Sequence, residues 1–267
     1  MKRLSASRLV ELAGELSQRD REITETTGKL RLVSGKQIER LFLVSTTDPA
    51  SRARLARRSL GRLVERGLLG RLERRRVGGI RAGAAGHVYY LTPRGQRLVA
   101  FWQSRGLVRP RSRYEPAATF VRHILGIAEC YVRLVEADRA GTVELLEFKA
   151  EPECWQSFVG PGGSRQWVKP DAFVRLGVGE FEAHSWIELD CGTEGRGALL
   201  RKCRAYQAAY AAGITGDTFP RVVWIATTAK RAELLTEVCG SLPADAWKLF
   251  AVTTPERALA LLAGGAS

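Results

Sequence analysis

The sequence predicts an α/β protein with two domains, a small helical domain that carries a β-hairpin and a larger domain with a mixed sheet flanked by helices. Two observations support this division. A stretch over 106–116 has two prolines, three arginines and no periodicity, and the pattern of elements changes after it. Residues 1–113 hold 26 Lys and Arg against 9 Asp and Glu, net +17, whereas residues 114–267 hold 16 against 19, net −3. We therefore expect a domain over 1–105, a linker over 106–116 and a domain over 117–267.

Three helices are predicted first, each introduced by a side chain that can cap it. A Ser or Asp oxygen in this place accepts a hydrogen bond from a free N–H group of the first helical turn. The predicted caps and helices are Ser17 for 18–32, Ser34 for 35–42, and Asp48, with Pro49 after it, for 49–67.

The third helix has one apolar side, which can pack, and one basic side. The basic side carries Arg54, Arg57, Arg58 and Arg62, and no acidic residue follows them before Glu65. A solvated surface is the ordinary explanation of a charge run, but an unbalanced row of guanidinium groups favours DNA, because arginine can read guanine edges in the major groove. The net charge of the N-terminal domain favours the same polyanionic partner.

Two strands joined by a glycine-rich loop follow, over 68–77 and 87–91, and Thr92 then caps a closing helix. The predicted order is that of a winged helix-turn-helix domain, which binds double-stranded DNA. It consists of three helices, the third of them basic, followed by a hairpin and a closing helix. The arginines of the hairpin suit phosphates or the minor groove, and they are Arg74, Arg75, Arg76 and Arg81.

After the linker, helices and strands alternate in the order of a mixed sheet covered by helices. The predicted helices cover 117–137, 197–212, 230–239 and 255–262, and the predicted strands cover 143–150, 168–176, 182–190, 219–228 and 248–254.

The hairpin formed by 168–176 and 182–190 carries three carboxylates near its open end, Asp171, Glu188 and Asp190. Folding it about residues near 179 places Asp171 opposite Glu188 or within about one diagonal of it, while Asp190 shares a face with Glu188. These acids could lie on a solvated face, but the second strand is apolar on both sides, where an unpaired carboxylate is costly. Repelling carboxylates are tolerated around a divalent cation, and hard oxygen ligands suit Mg²⁺ or Mn²⁺.

The composition excludes several classes of protein. The sequence has no stretch of about 18 apolar residues, the length needed to cross a membrane. Its first 20 residues lack the apolar core of a secretion signal, so a cytoplasmic protein without a membrane partner is expected. The five cysteines are odd in number and widely spaced, with no CxxC pair, which is typical of reduced thiols and not of a zinc site.

Pro170-Asp171 on one strand and Glu188-x-Asp190 on the next, in this order of elements, resemble the PD-(D/E)xK nuclease superfamily, whose fold is that of restriction endonucleases. With the winged helix, nearly the whole chain resembles the replication-relaxation family of plasmid and mobile-element proteins, which is similar to one class of DNA-mobilising relaxases. The resemblance implies that Asp171 and Glu188 hold the metal. It also implies an acid on the first helix of the domain, for which Glu129 is the candidate and an exposed helix acid the alternative.

One departure from the superfamily affects catalysis. Asp190 stands where the superfamily has a lysine that orients the water and offsets charge on the phosphate. Some members recruit this lysine from the following helix, which makes Lys202 the candidate, and Asp190 or Lys202 would position the nucleophile. Tyr206 and Tyr210 could line the same cleft, although core packing is the favoured interpretation, and His184 is a weaker candidate on the carboxylate face.

The sequence leaves several functions open. The first is a DNA-binding protein of a plasmid or mobile element whose C-terminal domain nicks DNA with a divalent metal, acting on duplex DNA and on single-stranded DNA at a nick. The second is a non-catalytic replication or transcription regulator whose nuclease-like domain serves for homodimerisation and DNA grip. A repressor with a ligand-binding C-terminal domain ranks last, because no ligand-binding signature is present.

Overall fold

The structure, a computed structural model, describes residues 6–76, 86–104, 116–216, 218–243 and 246–264. The chain divides into two compact units, Met1–Val132 and Arg133–Ser267. The predicted linker lies almost wholly outside the described residues. No described helix combines the length and the apolar character needed to cross a bilayer.

Within the residues that the structure describes, the first unit contains five helices, the start of a sixth and a three-stranded sheet. The sheet has the order β1-β3-β2, with both neighbouring pairs antiparallel. The elements are α1 (Ala6–Gly14), α2 (Gln18–Leu30), β1 (Val33–Ser34), α3 (Gly35–Phe42), α4 (Pro49–Glu65), β2 (Leu69–Arg76), β3 (His87–Leu91), α5 (Pro93–Trp102) and α6 (Ala118–Arg139).

The predicted helix caps of this unit are confirmed. Ser17 Oγ accepts from the N–H of Asp20 at 3.2 Å, and Ser34 forms a reciprocal capping box with Gln37. Asp48 accepts from the N–H of Ser51 at 2.7 Å, and Thr92 caps α5 in the same way. These caps are local in sequence, which is why the pattern of residues predicts them.

Residues 118–132 of α6 belong to the N-terminal unit. Val121 and Ile124 share a buried cluster with Leu32, Leu72 and Val88. The division between the units therefore falls inside α6, whereas the sequence pattern predicted that the whole helix belongs to the second domain.

The second unit is built on a five-stranded mixed sheet of order β10-β9-β8-β7-β4. Strands β4, β7 and β8 pair antiparallel, and β8, β9 and β10 pair parallel. A separate two-stranded hairpin, β5–β6, precedes β7 and was not predicted. The elements after α6 are β4 (Glu144–Ala150), β5 (Gln156–Val159), β6 (Arg165–Val168), β7 (Ala172–Val178), β8 (Phe181–Asp190), α7 (Arg196–Ala211), β9 (Arg221–Ala226), α8 (Ala229–Gly240), β10 (Phe250–Thr253) and α9 (Ala258–Leu262).

The β7–β8 hairpin has the register that the sequence predicts. The pairs run from Val178 with Phe181 to Ala172 with Ile187, and Gly179 occupies the turn with a φ of 58°, in the left-handed region that glycine tolerates. Strand β8 lies at the centre of the sheet, and its last six residues are all buried. A central strand has no solvated face, so any carboxylate on it must find partners inside the protein.

Candidate functional site

Two of the predicted carboxylates meet where β7 begins beside β8. The N–H of Asp171 donates to the carbonyl oxygen of Ile187 at 3.0 Å, and Asp171 Oδ2 accepts from the N–H of Leu189 at 2.7 Å. These two bonds, to the residues before and after Glu188, fix Asp171 beside it. Both carboxylates are buried, with 7% of Asp171 and 1% of Glu188 exposed.

Helix α7 brings two more polar side chains to Glu188. Tyr206 Oη donates to Glu188 Oε1 at 2.6 Å, and Lys202 Nζ lies 3.2 Å from Glu188 Oε2. Lys202 and Tyr206 are four residues apart, so they share one face of the helix. Lys202 Nζ also lies 3.3 Å from Glu194 Oε1, in the loop that joins β8 to α7. Helix α7 thus places Lys202 between Glu188 and Glu194.

Burial and the neighbouring charges perturb the titration of this cluster. Burial, and after it the charge of Asp171, raise the pKa of Glu188 to about 8, although Lys202 and Tyr206 act in the opposite direction. Burial alone would lower the pKa of Lys202, but the charges of Glu188, Asp171 and Glu194 outweigh it, and the pKa is raised. Lys202 therefore keeps its positive charge beside a buried carboxylate with a strongly raised pKa, and perturbed groups of this kind are common at functional sites.

Asp190 does not join this cluster, and the expectation that three carboxylates converge is corrected. Its Oδ2 accepts from Arg231 Nε at 2.8 Å and lies 2.7 Å from Arg231 Nη2, while Oδ1 accepts from the N–H of Gly192. Arg231 Nη2 also donates to the carbonyl oxygen of Glu194 at 2.9 Å. Asp190 therefore ties the end of β8 to α8, because a buried carboxylate on a central strand takes the nearest guanidinium group as its partner.

We expect Arg231→Ala to destabilise the protein by about 3–5 kcal/mol, because it leaves the buried Asp190 carboxylate without its ionic partner. Urea unfolding measures the loss. Arg196→Ala is the matched control, because it removes an exposed pair with Glu237 and should cost less than about 1 kcal/mol. Equal effects of the two substitutions would contradict a structural role for the Asp190 pair.

Glu129, the third predicted metal ligand, lies in the first unit. Its Oε1 accepts from Arg40 Nη1 at 2.6 Å, and its Oε2 accepts from Gln37 Nε2 at 3.2 Å. These bonds hold the middle of α6 against α3. Glu129 is partly buried in an ion pair with Arg40, so it is not the exposed helix acid of the alternative interpretation.

The carboxylate oxygens of Asp171 and Glu188 are of the type that binds a hard divalent cation. Within the described residues, no group of three or more His, Cys, Asp and Glu side chains is placed to hold a metal. Mg²⁺, however, is commonly held by one or two carboxylates and completes its coordination with water and substrate phosphate. Asp171 and Glu188 supply such a pair, and the negative charge of Asp171 adds to burial in raising the pKa of Glu188.

The predicted DNA-contacting arginines differ in their surroundings. Arg54, Arg57 and Arg58 are exposed on α4. Arg62 instead donates to both carboxylate oxygens of buried Asp20, at 2.8 and 2.9 Å, so it links α4 to α2. For Arg74, Arg75 and Arg76 the structure describes only the backbone, in β2, and Arg81 lies outside the described residues.

The weaker candidates have structural surroundings. His184 Nε2 lies 3.2 Å from Glu182, towards the turn of the β7–β8 hairpin, and its ring packs against Phe173. Tyr210 is exposed, and its ring packs edge-on against Phe219. The contributions of Arg231 and Glu194 were not predicted from the sequence, whereas the four-residue spacing of Lys202 and Tyr206 was a usable signal for their common position.

Comparison with known protein families identifies the chain. A model described as replication-relaxation matches residues 26–222, about three quarters of the sequence. The chain belongs to the replication-relaxation family. Membership of the replication-relaxation family suggests a role in the replication or transfer of a plasmid or mobile element. No curated protein and no solved structure matched the chain.

Proposed function

We propose that this member of the replication-relaxation family binds duplex DNA through an N-terminal winged helix and acts on the phosphodiester backbone with a nuclease-like second unit. The observation that carries the proposal is the cluster of Asp171, Glu188 and Lys202 at the centre of the mixed sheet. Two carboxylates with a lysine 3.2 Å from one of them are the groups that metal-assisted phosphodiester cleavage needs.

Several features of the first unit support the DNA-binding part of the proposal. Helices α3 and α4 pack against each other, and α4 buries Ala56, Leu60 and Leu63 on its inner side. Its outer side presents arginines to solvent, as a helix that enters the major groove does. The hairpin β2–β3 follows α4 in the position of a wing. The net charge of +17 over residues 1–113 supports a polyanionic partner.

In the second unit, each residue of the cluster has a task that its surroundings support. Asp171 and Glu188 would hold Mg²⁺ or Mn²⁺, which would supply an activated water and neutralise charge on the leaving oxygen. Lys202 would offset the negative charge that develops on the attacked phosphate. Tyr206 holds Glu188 in place through its 2.6 Å hydrogen bond, and Asp190 keeps the loop before α7 attached to α8.

A non-catalytic regulator is the second candidate, and one observation favours it. Glu188 and Tyr206 are almost fully buried, and their hydrogen bond is satisfied inside the protein. A nuclease-like domain with this interior could serve for dimerisation and DNA grip while the first unit determines where the protein binds.

Nicking of DNA distinguishes the two functions. Supercoiled plasmid carrying the DNA adjacent to the gene, and single-stranded DNA of the same sequence, are incubated with the full chain in Mg²⁺, Mn²⁺ or EDTA. Relaxed plasmid or cleaved strand that forms only with a divalent ion supports the enzyme. Tight binding without cleavage under every condition would reject it and favour the regulator.

We expect Arg57→Ala with Arg58→Ala to weaken duplex DNA binding and to lower the slope of log affinity against log salt by about 1 for each phosphate that the protein no longer neutralises. If either arginine also reads a base edge, its removal should cost a further 1–3 kcal/mol, roughly, and relax the sequence preference. Fluorescence anisotropy with a labelled duplex over a range of salt concentrations measures both effects on the full chain.

Two variants serve as controls for this measurement. Arg8→Ala removes an exposed arginine of α1 that pairs with Glu11 and should leave affinity nearly unchanged. Arg62→Ala should lower the free energy of unfolding, because it leaves the buried Asp20 carboxylate without its partner. Wild-type affinity and salt slope in the double variant would remove the outer side of α4 from the DNA interface.

A further inference from the structure

The hairpin β5–β6 presents an aromatic and basic face on its outer side. Ser157 pairs with Trp167 and Val159 pairs with Arg165, so these four side chains share one face. Trp167 is 45% exposed and Val159 is 69% exposed. The opposite face is buried, since Phe158 and Val168 belong to the core cluster that includes residues of α7.

Cations accompany both tryptophans of this region. The Arg165 guanidinium carbon lies 5.6 Å from the centre of the Trp167 ring, and Lys169 Nζ lies 4.9 Å from the centre of the Trp155 ring. No acidic residue occurs between Trp155 and Pro170. The face therefore combines flat aromatic surface with positive charge and has no anionic residue of its own.

This combination fits an unpaired nucleic-acid strand better than a duplex or a protein. Bases that are not in a duplex expose their faces and stack on aromatic side chains, while nearby Lys and Arg attract the phosphates. A duplex keeps its bases stacked on each other and offers no free face. The charge of the hairpin also matches the polyanion and not the apolar surface of a second protein chain.

The hairpin leads directly into the candidate active site. Strand β6 ends at Val168, and only Lys169 and Pro170 separate it from Asp171. The carbonyl oxygen of Pro170 accepts from the Cys154 thiol at 3.1 Å, which fixes this short connection. On its inner side the hairpin packs against α7, the helix that carries Lys202. Trp167 on the outer face therefore precedes Asp171 by only four positions in the chain.

We propose that the outer face of β5–β6 is a platform for unpaired DNA, on which Trp167 stacks a base and Arg165 and Lys169 attract the phosphates. The inference rests on the proposed action of this chain on DNA and assigns the surface that receives the opened strand. It is independent of whether cleavage occurs, because stacking requires no metal and no reaction.

Binding of oligonucleotides in EDTA tests the platform on the full chain without cleavage. A labelled oligothymidylate is compared with an abasic oligonucleotide of the same length, so that binding of phosphates by the basic first unit contributes equally to both. The wild type should prefer the thymidylate. Trp167→Ala should weaken thymidylate binding about tenfold, which is the scale of one base stack, and leave abasic binding unchanged.

Two further variants make the result specific. Trp167→Phe keeps an aromatic face and should retain most of the preference, and Phe181→Ala, which removes another highly exposed aromatic residue of the same unit, should not alter it. Equal wild-type affinity for the two oligonucleotides, or thymidylate binding unaffected by Trp167→Ala, would overturn the proposal. The proposal would also be overturned if Trp167→Ala changed the protein from dimer to monomer in sedimentation and left oligonucleotide binding unchanged. The face would then be an interface between copies of the chain. Failure to nick plasmid bears only on the proposed function.

Discussion

Lys202→Ala is expected to reduce metal-dependent nicking by about 100-fold or more, the scale of losing one preorganised charge stabiliser, while duplex binding stays nearly intact. The reason is the position of Nζ, 3.2 Å from the carboxylate of Glu188 at the centre of the sheet. Among the residues that the structure describes, Lys202 is the cation that forms an ion pair with Glu188. The rate of conversion of supercoiled to relaxed plasmid measures the loss under single-turnover conditions.

The control for this substitution lies on the same helix. Arg204 is exposed on α7, so Arg204→Ala removes a positive charge without reaching the cluster and should nick at nearly the wild-type rate. Urea unfolding of Lys202→Ala shows whether a loss of nicking reflects a loss of structure. We expect the variant to stay folded, because Glu188 can accept a proton when its cationic partner is removed. Nicking at the wild-type rate by Lys202→Ala would exclude Lys202 from the reaction.

The elements that were predicted correctly depend on neighbours in sequence. Ser17, Ser34 and Asp48 cap helices within three residues of themselves, so their residue types predict the starts of the helices. The β7–β8 register follows from a short turn at Gly179, which leaves little freedom in how the strands pair. The meeting of Asp171 and Glu188 is a consequence of that register.

The ion pairs that were not predicted join residues far apart in sequence. Arg62 pairs with Asp20 across 42 positions, Arg231 with Asp190 across 41, and Arg40 with Glu129 across 89. The sequence offers each arginine several acids, and only the packed fold determines which of them it meets. The pattern on α4 therefore predicted a DNA contact for Arg62 and did not predict its ion pair with Asp20. In the same way, Asp190 was expected beside the other carboxylates and not beside Arg231.

The β5–β6 hairpin was not predicted for a different reason. Its strands are four residues long and are separated by a Gly-Pro-Gly-Gly-Ser loop, so the alternation of apolar and polar residues is too brief to identify a strand. The predicted strand over 168–176 also runs through Pro170, where the structure breaks it into β6 and β7. A proline lacks the N–H that a central strand donates, which accounts for the break.

Glu188→Gln is expected to flatten the pH dependence of stability and to remove stabilisation by divalent ions. The native protein raises the pKa of Glu188 from an ordinary value of 4.5 to about 8, so between these values the native state binds a proton that the unfolded chain has lost. The free energy of unfolding of the metal-free wild type should therefore fall as pH rises from 4.5 to 8. Glutamine does not titrate, so the free energy of unfolding of Glu188→Gln should change less between pH 4.5 and pH 8 than that of the wild type.

Mn²⁺ provides the second half of this test. A cation that replaces the proton on Glu188 stabilises the native state by about 2.7 kcal/mol at 100 times its dissociation constant, and this gain should increase with pH because the proton must leave. Glu188→Gln and Asp171→Ala should lose this stabilisation by Mn²⁺.

Glu194→Gln is the control, because Glu194 also contacts Lys202 but is partly exposed. This variant should keep both the pH dependence and the response to Mn²⁺. Thermal melts in Mn²⁺ and in EDTA between pH 5 and 8 measure both effects. A wild type whose stability neither falls with pH nor rises with Mn²⁺ would show that Asp171 and Glu188 do not form a cation site.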